Sequence, residues 1–177
     1  VANVPKADSS SGGAASSSGA RSGSGSVREP SALQTESLPA SSSAAPASTQ
    51  PVSGRVLNSY SGDELVYSKT LGDWRTHNGV DYAADKGAEV TAPAAGKVVE
   101  TGTDDKWGPV VAIEDASGRI WRVCGTTDAK VKKGDTVSAG QTIGKVGSVS
   151  CECAEESHIH LEVIEGEKYL DPIKAMK

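Results

Sequence analysis

From Val52 onward no stretch of about 11 or more residues repeats apolar side chains at the helical interval, whereas short β-branched runs recur between turn residues. The runs are Arg55–Tyr60, Glu64–Tyr67, Glu89–Ala92, Lys97–Thr101, Val110–Glu114, Arg119–Val123, Thr142–Val146 and His158–Ile164. Gly, Asp, Asn or Ser stands between nearly all of them, as turns require. Asp115-Ala116-Ser117-Gly118 reads as a hairpin turn, with Gly free to take a positive φ. Gly134-Asp135 and Gly140 bracket another short segment, and a single helical turn is suggested near Asp171–Ala175. The pattern predicts an all-β fold, a small antiparallel β-sheet or barrel-like domain.

The domain does not use the whole chain. All seven aromatic residues follow residue 50, and 34 of the first 50 residues are Ser, Ala, Gly or Pro. Such a segment has too little apolar surface to offset the entropy of ordering its backbone. Residues 1–51 therefore read as a disordered linker, a flexible tether that sets reach, and 52–177 as the folded domain. Lys6, Arg21 and Arg28 balance Asp8, Glu29 and Glu36, so the net charge of −5 belongs to the domain. That acidity argues against a nucleic-acid partner. No apolar run approaches the roughly 18–20 residues that span a bilayer. The first residue is Val, so a mature or truncated piece is expected, with any membrane anchor lying outside this sequence.

The chemistry-bearing residues are few. His77 and Asp81 form His-x-x-x-Asp, and His158 and His160 form His-x-His at the head of a strand-like run. In a strand, residues i and i+2 project to one face, so both imidazoles point one way and Ile159 the other. A hydrolytic zinc takes three protein ligands from His, Asp and Glu and keeps one position open. His77, Asp81 and one of the His158/His160 pair would supply two imidazoles and a carboxylate, and zinc so held lowers the pKa of water to roughly 7.

These motifs resemble the lysostaphin-type (LytM-like) zinc metallopeptidases, which cut peptide cross-bridges of bacterial cell walls. The resemblance rests on His77-Asn78-Gly79-Val80-Asp81, on Gly134-Asp135-Thr136-Val137-Ser138-Ala139-Gly140-Gln141-Thr142-Ile143-Gly144 and on His158-Ile159-His160-Leu161-Glu162. It implies zinc ligands His77, Asp81 and His160, with His158 as the catalytic, proton-handling histidine. It also implies a further histidine in a Tyr-x-His-Leu motif, but the matching run is Val123-Cys124-Gly125-Thr126, and that histidine falls on Gly125. Loss of one such electrostatic partner costs about 10²–10³ in turnover. The words Tyr60-Ser61-Gly62-Asp63-Glu64-Leu65-Val66-Tyr67-Ser68 and Asp73-Trp74-Arg75-Thr76-His77 resemble the sporulation branch of the family. That branch implies a forespore membrane protein whose ectodomain meets a mother-cell membrane protein of the sporulation channel, in the extracytoplasmic intermembrane space.

Cys124 stands one residue before the lost histidine, so strand alternation would turn it to the opposite face, a small buried residue. Cys151 and Cys153 precede His158, and neither a second metal nor a disulfide framework is expected of three cysteines. Trp107 and Trp121 are assigned to the core, and Glu114, Asp115, Glu152, Glu155 and Glu156 to a solvated acidic surface. Three functions follow: a zinc-binding scaffold with impaired cleavage, a working endopeptidase on peptidoglycan peptides, or a metal-free interaction module.

Overall fold

The computed structural model describes residues 48–177; the expected tether lies, up to residue 47, outside the described residues. The chain joins the fold at Ser48, which bridges Ala94, and the Pro51 carbonyl accepts from Thr91 N at 2.8 Å. Among the described residues the strands are β1 Val56–Asn58, β2 Val66–Ser68, β3 Asp73–Arg75, β4 Gly79–Ala83, β5 Glu89–Thr91, β6 Gly96–Asp104, β7 Gly108–Asp115, β8 Ile120–Cys124, β9 Thr126–Thr127, β10 Thr136–Val137, β11 Thr142–Val146, β12 His158–Glu165 and β13 Lys168–Leu170. A 3₁₀ turn covers Ser150–Glu152, and one short helix, α1, covers Pro172–Ala175, capped by Asp171 Oδ1 accepting from Ile173 N at 3.0 Å. The all-β expectation holds, as does the terminal helical turn. No helix among the described residues is long and apolar enough to cross a membrane.

The main sheet runs β1-β4-β12-β8-β7-β6-β10, with β13 folded back on the end of β12. Every pairing is antiparallel. Alternation gives this sheet two unlike faces. Ile159, Leu161 and Val163 of β12 pack with Val80, Tyr82, Trp121, Val123, Val111 and Ile113 in the buried core. Burying each large aliphatic side chain contributes about 1.5–3 kcal/mol. The opposite face carries His158, His160 and Glu162 on β12, with Arg122 and Cys124 in register on β8. A smaller sheet, β5-β11-β9, completes the core through Val90, Ile143 and Val146. The hairpin β2-β3 stands apart and leaves Leu65, Tyr67, Leu71 and Trp74 exposed.

The expected turn at Asp115–Gly118 links β7 to β8, with Gly118 at φ 82° donating its N–H to the Asp115 carbonyl. Asp115 is more than a solvated acid. Its Oδ1 accepts from Ser117 N, Ser117 Oγ and Arg119 N, and its Oδ2 accepts from the Trp121 indole at 2.8 Å. Partial burial opposes ionisation, yet these donors hold its carboxyl below the usual carboxylate range. Asp115→Ala removes four hydrogen bonds and leaves the Nε1–H of a buried tryptophan unpaired. A loss of about 1–3 kcal/mol is expected, read by thermal or denaturant unfolding; an unchanged midpoint would assign the turn to backbone geometry alone.

Candidate metal centre

Three separate parts of the chain meet on the polar face of the main sheet. Asp81 lies within β4 and pairs in register with His160 of β12, which brings their side chains together on one face. His77 lies just before β4, where its N–H donates to Ser61 Oγ at 2.8 Å. The turn Ser150–Glu152 adds Glu152, held by Glu152 N donating to Val149 O and Cys151 N donating to Lys106 O. One donor atom from each of His77, Asp81, Glu152 and His160 lies within 4.8 Å of every other.

The distances favour a cation. His77 Nε2 is 3.2 Å from His160 Nδ1, and Asp81 Oδ1 faces both nitrogens, at 3.2 and 2.7 Å. His77 Nδ1–H donates to the Ser59 carbonyl at 2.9 Å, which leaves the Nε2 lone pair turned toward the cluster. Asp81 Oδ2 accepts from Asn58 Nδ2 at 2.8 Å, which fixes the carboxylate plane. His160 Nε2 has no hydrogen-bond partner and lies 3.6 Å from Glu162 Oε1, itself 1 % exposed and 3.6 Å by its other oxygen from Arg122. Two imidazole lone pairs converging on a shared carboxylate oxygen fit a divalent ion of borderline softness such as zinc.

Charges within the cluster are tightly linked. Burial would raise the Asp81 carboxyl, but hydrogen bonds and attraction from His160 and His77 pull it far below the usual range. Burial likewise opposes ionisation of Glu152, yet His158 and His160 lower it to about 2. His160 is raised well above the ordinary imidazole value, because Asp81, Glu152 and Glu162 outweigh its complete burial. His158 is raised too, against its burial, by Glu152 and the Glu156 carbonyl.

The profile of peptidase family M23 matches residues 75–172. The chain belongs to peptidase family M23. It is 32% identical over 123 residues to the DD-carboxypeptidase/endopeptidase Mpg of Neisseria meningitidis serogroup B, covering 62% of this chain and 28% of that protein. It is 30% identical over 114 residues to the stage II sporulation protein Q of Bacillus subtilis, covering 63% and 39%. The chain thus spans less than two fifths of the curated relatives it matches. Its fold is similar to a chain in the crystal structure of the SpoIIIAH and SpoIIQ complex, with TM-score 0.62, 24% identity and 72% and 99% of the two chains covered. A zinc-containing peptidase from Vibrio cholerae is also similar, with TM-score 0.61, 27% identity and 72% and 38% covered.

This M23 domain brings together His77, Asp81 and His160, with His158 beside them, and departs from the sequence expectations at two further places, Glu152 and Cys124. Glu152 is part of the cluster rather than a solvated acid; its side chain is 15% exposed and reaches three histidines. Trp107 is buried in a second apolar cluster, as Trp121 is in the main core, so both core assignments hold; Trp107 in addition stacks on the His160 ring at 4.1 Å between centroids and so walls the site. Cys124 shares the His160 face instead of the opposite one, because Gly125, not Cys124, leaves the strand. It packs with Val110, Trp107 and Val149, and burial pushes its thiol up to about 12, so it is held as a thiol and not as a thiolate. Cys151 is likewise pushed up by burial, to about 11, and all three cysteines are free thiols. Glu156 does face outward, paired with Arg55, whereas Glu155 is half-buried at the cavity mouth and pairs with Lys69.

Gly125 stands at φ 88°, in the left-handed region, and a Cβ there would meet Val149 Cγ2 at 3.0 Å. A side chain at this position is strained by about 1–3 kcal/mol and starts against Val149. Gly125→His is therefore expected to destabilise the domain and to confer no cleavage of cross-linked peptidoglycan; a gain of cleavage would show that only the imidazole was missing.

Proposed function

We propose that this M23 domain binds zinc through His77, Asp81 and His160, has impaired or lost peptide cleavage, and serves as an extracytoplasmic scaffold in sporulation. The observation that carries the reading is a contrast: a donor set that converges, and a glycine with positive φ, Gly125, at the position where the resemblance implies a further active histidine. Zinc, when bound, would supply Lewis acidity toward a peptide carbonyl. The chain's own residues orient that set: Ser59 and Asn58 fix His77 and Asp81, while Trp107 stacks on the His160 ring. His158, with Nδ1–H donating to the Glu156 carbonyl at 2.6 Å, keeps Nε2 toward the cluster as the proton-handling group.

Similarity to SpoIIQ supports the sporulation branch and, with it, an ectodomain tethered at the forespore membrane. SpoIIQ is found in complex with SpoIIIAH, so a membrane protein of that kind is the partner proposed here. The hairpin β2-β3, with Tyr67 54% and Trp74 66% exposed, offers apolar contact area for one. A second reading, an active endopeptidase on cell-wall cross-bridges, is favoured by the similarity to Mpg and by a cavity of about 530 Å³ that opens on the site between Tyr67, His77 and Trp107. Metal analysis of the chain at neutral pH, with a peptidoglycan digestion assay, decides between them. About one zinc per chain without digestion is expected; digestion at the rate of an active relative overturns the impaired reading, and absence of metal leaves only an interaction module.

A further inference from the structure

The structure assigns Glu152 a further role, that of closing the coordination shell of the ion held by His77, Asp81 and His160. This deepens the zinc reading above and rests on it. A catalytic zinc keeps three protein ligands and one open position, whereas a structural zinc is closed by a fourth ligand. Glu152 places one oxygen 3.6 Å from His77 Nε2 and the other 3.4 Å from His160 Nδ1, so its carboxylate joins the cluster from an element outside β4 and β12 and within reach of both imidazoles. Its position is built into the chain: the turn Ser150–Glu152 is tied to Lys106 through Cys151 N, and the Glu152 carbonyl accepts from Glu155 N at 2.9 Å.

His158 fits the same arrangement. Its Nε2 lies 3.2 Å from Glu152 Oε2, and its Nδ1–H is committed to the Glu156 carbonyl. With the shell closed it positions that carboxylate, and the proton-handling role proposed above is open to it only when Glu152 leaves the ion's fourth place free. A four-ligand shell retains the ion as a brace between β4, β12 and the turn, and denies a substrate carbonyl any place on it. The domain therefore carries two separate blocks to hydrolysis, Gly125 and Glu152, of which the second is reversible by one substitution.

Cobalt(II), which reports its ligand number in the visible spectrum, tests this on the full chain, with azide as the exogenous ligand. The wild-type spectrum should not change with azide in the millimolar range, while Glu152→Ala should bind azide and hold zinc at least about 10-fold more weakly. Should Glu152→Ala fail to fold by circular dichroism, Glu152→Gln and the azide titration of wild type carry the same contrast. Azide binding by wild type as readily as by the variants, with equal zinc affinity, overturns the closure while leaving the zinc reading intact. No metal uptake by wild type overturns both.

Discussion

Gly79→Ala should abolish the proposed zinc binding while changing none of the proposed ligands. The β4 backbone passes so close to β12 here that a Cβ would lie 2.6 Å from His160 Nε2, 2.7 Å from its Cε1 and 2.5 Å from the Leu161 carbonyl. Contacts this short force something to move. The His160 ring has little freedom, being fully buried, stacked on Trp107 and facing Asp81, Glu162 and Glu152 from its two nitrogens. The Leu161 carbonyl belongs to the β12 backbone, which pairs with β4 on one side and β8 on the other. Overpacking of this kind costs about 1–3 kcal/mol, and an ångström of ring displacement is enough to break a shared coordination sphere. Zinc affinity should fall by about 100-fold or more in a competitive chelator titration, with a lowered unfolding midpoint. Undiminished affinity would mean that His160 is not a ligand. The glycine of His-x-Gly-x-Asp is on this account a steric requirement of the third ligand, not a turn residue.

That strand also shows what a sequence can and cannot convey. The run His158–Ile164 is legible because its faces differ, imidazoles on one and aliphatics on the other, and it forms β12. β4 is not legible as a strand, since four of its five residues are buried and no polar alternation marks it. His77 and Asp81 are readable as a pair from spacing alone, although the spacing is realised by a loop entering a strand and not by one turn of helix. Glu152 is invisible for a different reason. Cys151-Glu152-Cys153-Ala154-Glu155-Glu156 reads as a hydrophilic connection, and nothing local says that one of its acids folds inward while two pair at the surface. The available clue is an acid six residues before His158. Cys124 differs from expectation by one face because strand alternation does not continue through Gly125, where the positive φ ends β8. Alternation carries information only as far as the backbone stays extended.

The opposite pH responses of the metal-free and zinc-loaded chain give the second large effect. In the metal-free chain the raised His160 contributes stability that is complete below its unfolded value near 6.5 and is lost as pH climbs through the folded value. Asp81 and Glu152 behave in the other sense: their contribution is present above about 4 and is lost as pH falls toward the Glu152 value of about 2. Metal-free stability is thus expected to peak between roughly pH 4.5 and 6.5 and to decline on both sides. Zinc needs the same imidazoles without their protons, so its affinity rises with pH. With free zinc at about 1,000 times its dissociation constant near pH 8, the gain is about 4 kcal/mol, and it should fall close to zero near pH 5. Thermal unfolding with and without zinc between pH 4 and 8.5 would show the two curves converging in acid and separating above neutrality. Parallel curves would place the ion away from His160, because only a ligand that must lose a proton to bind the metal makes the two forms respond to pH with opposite signs.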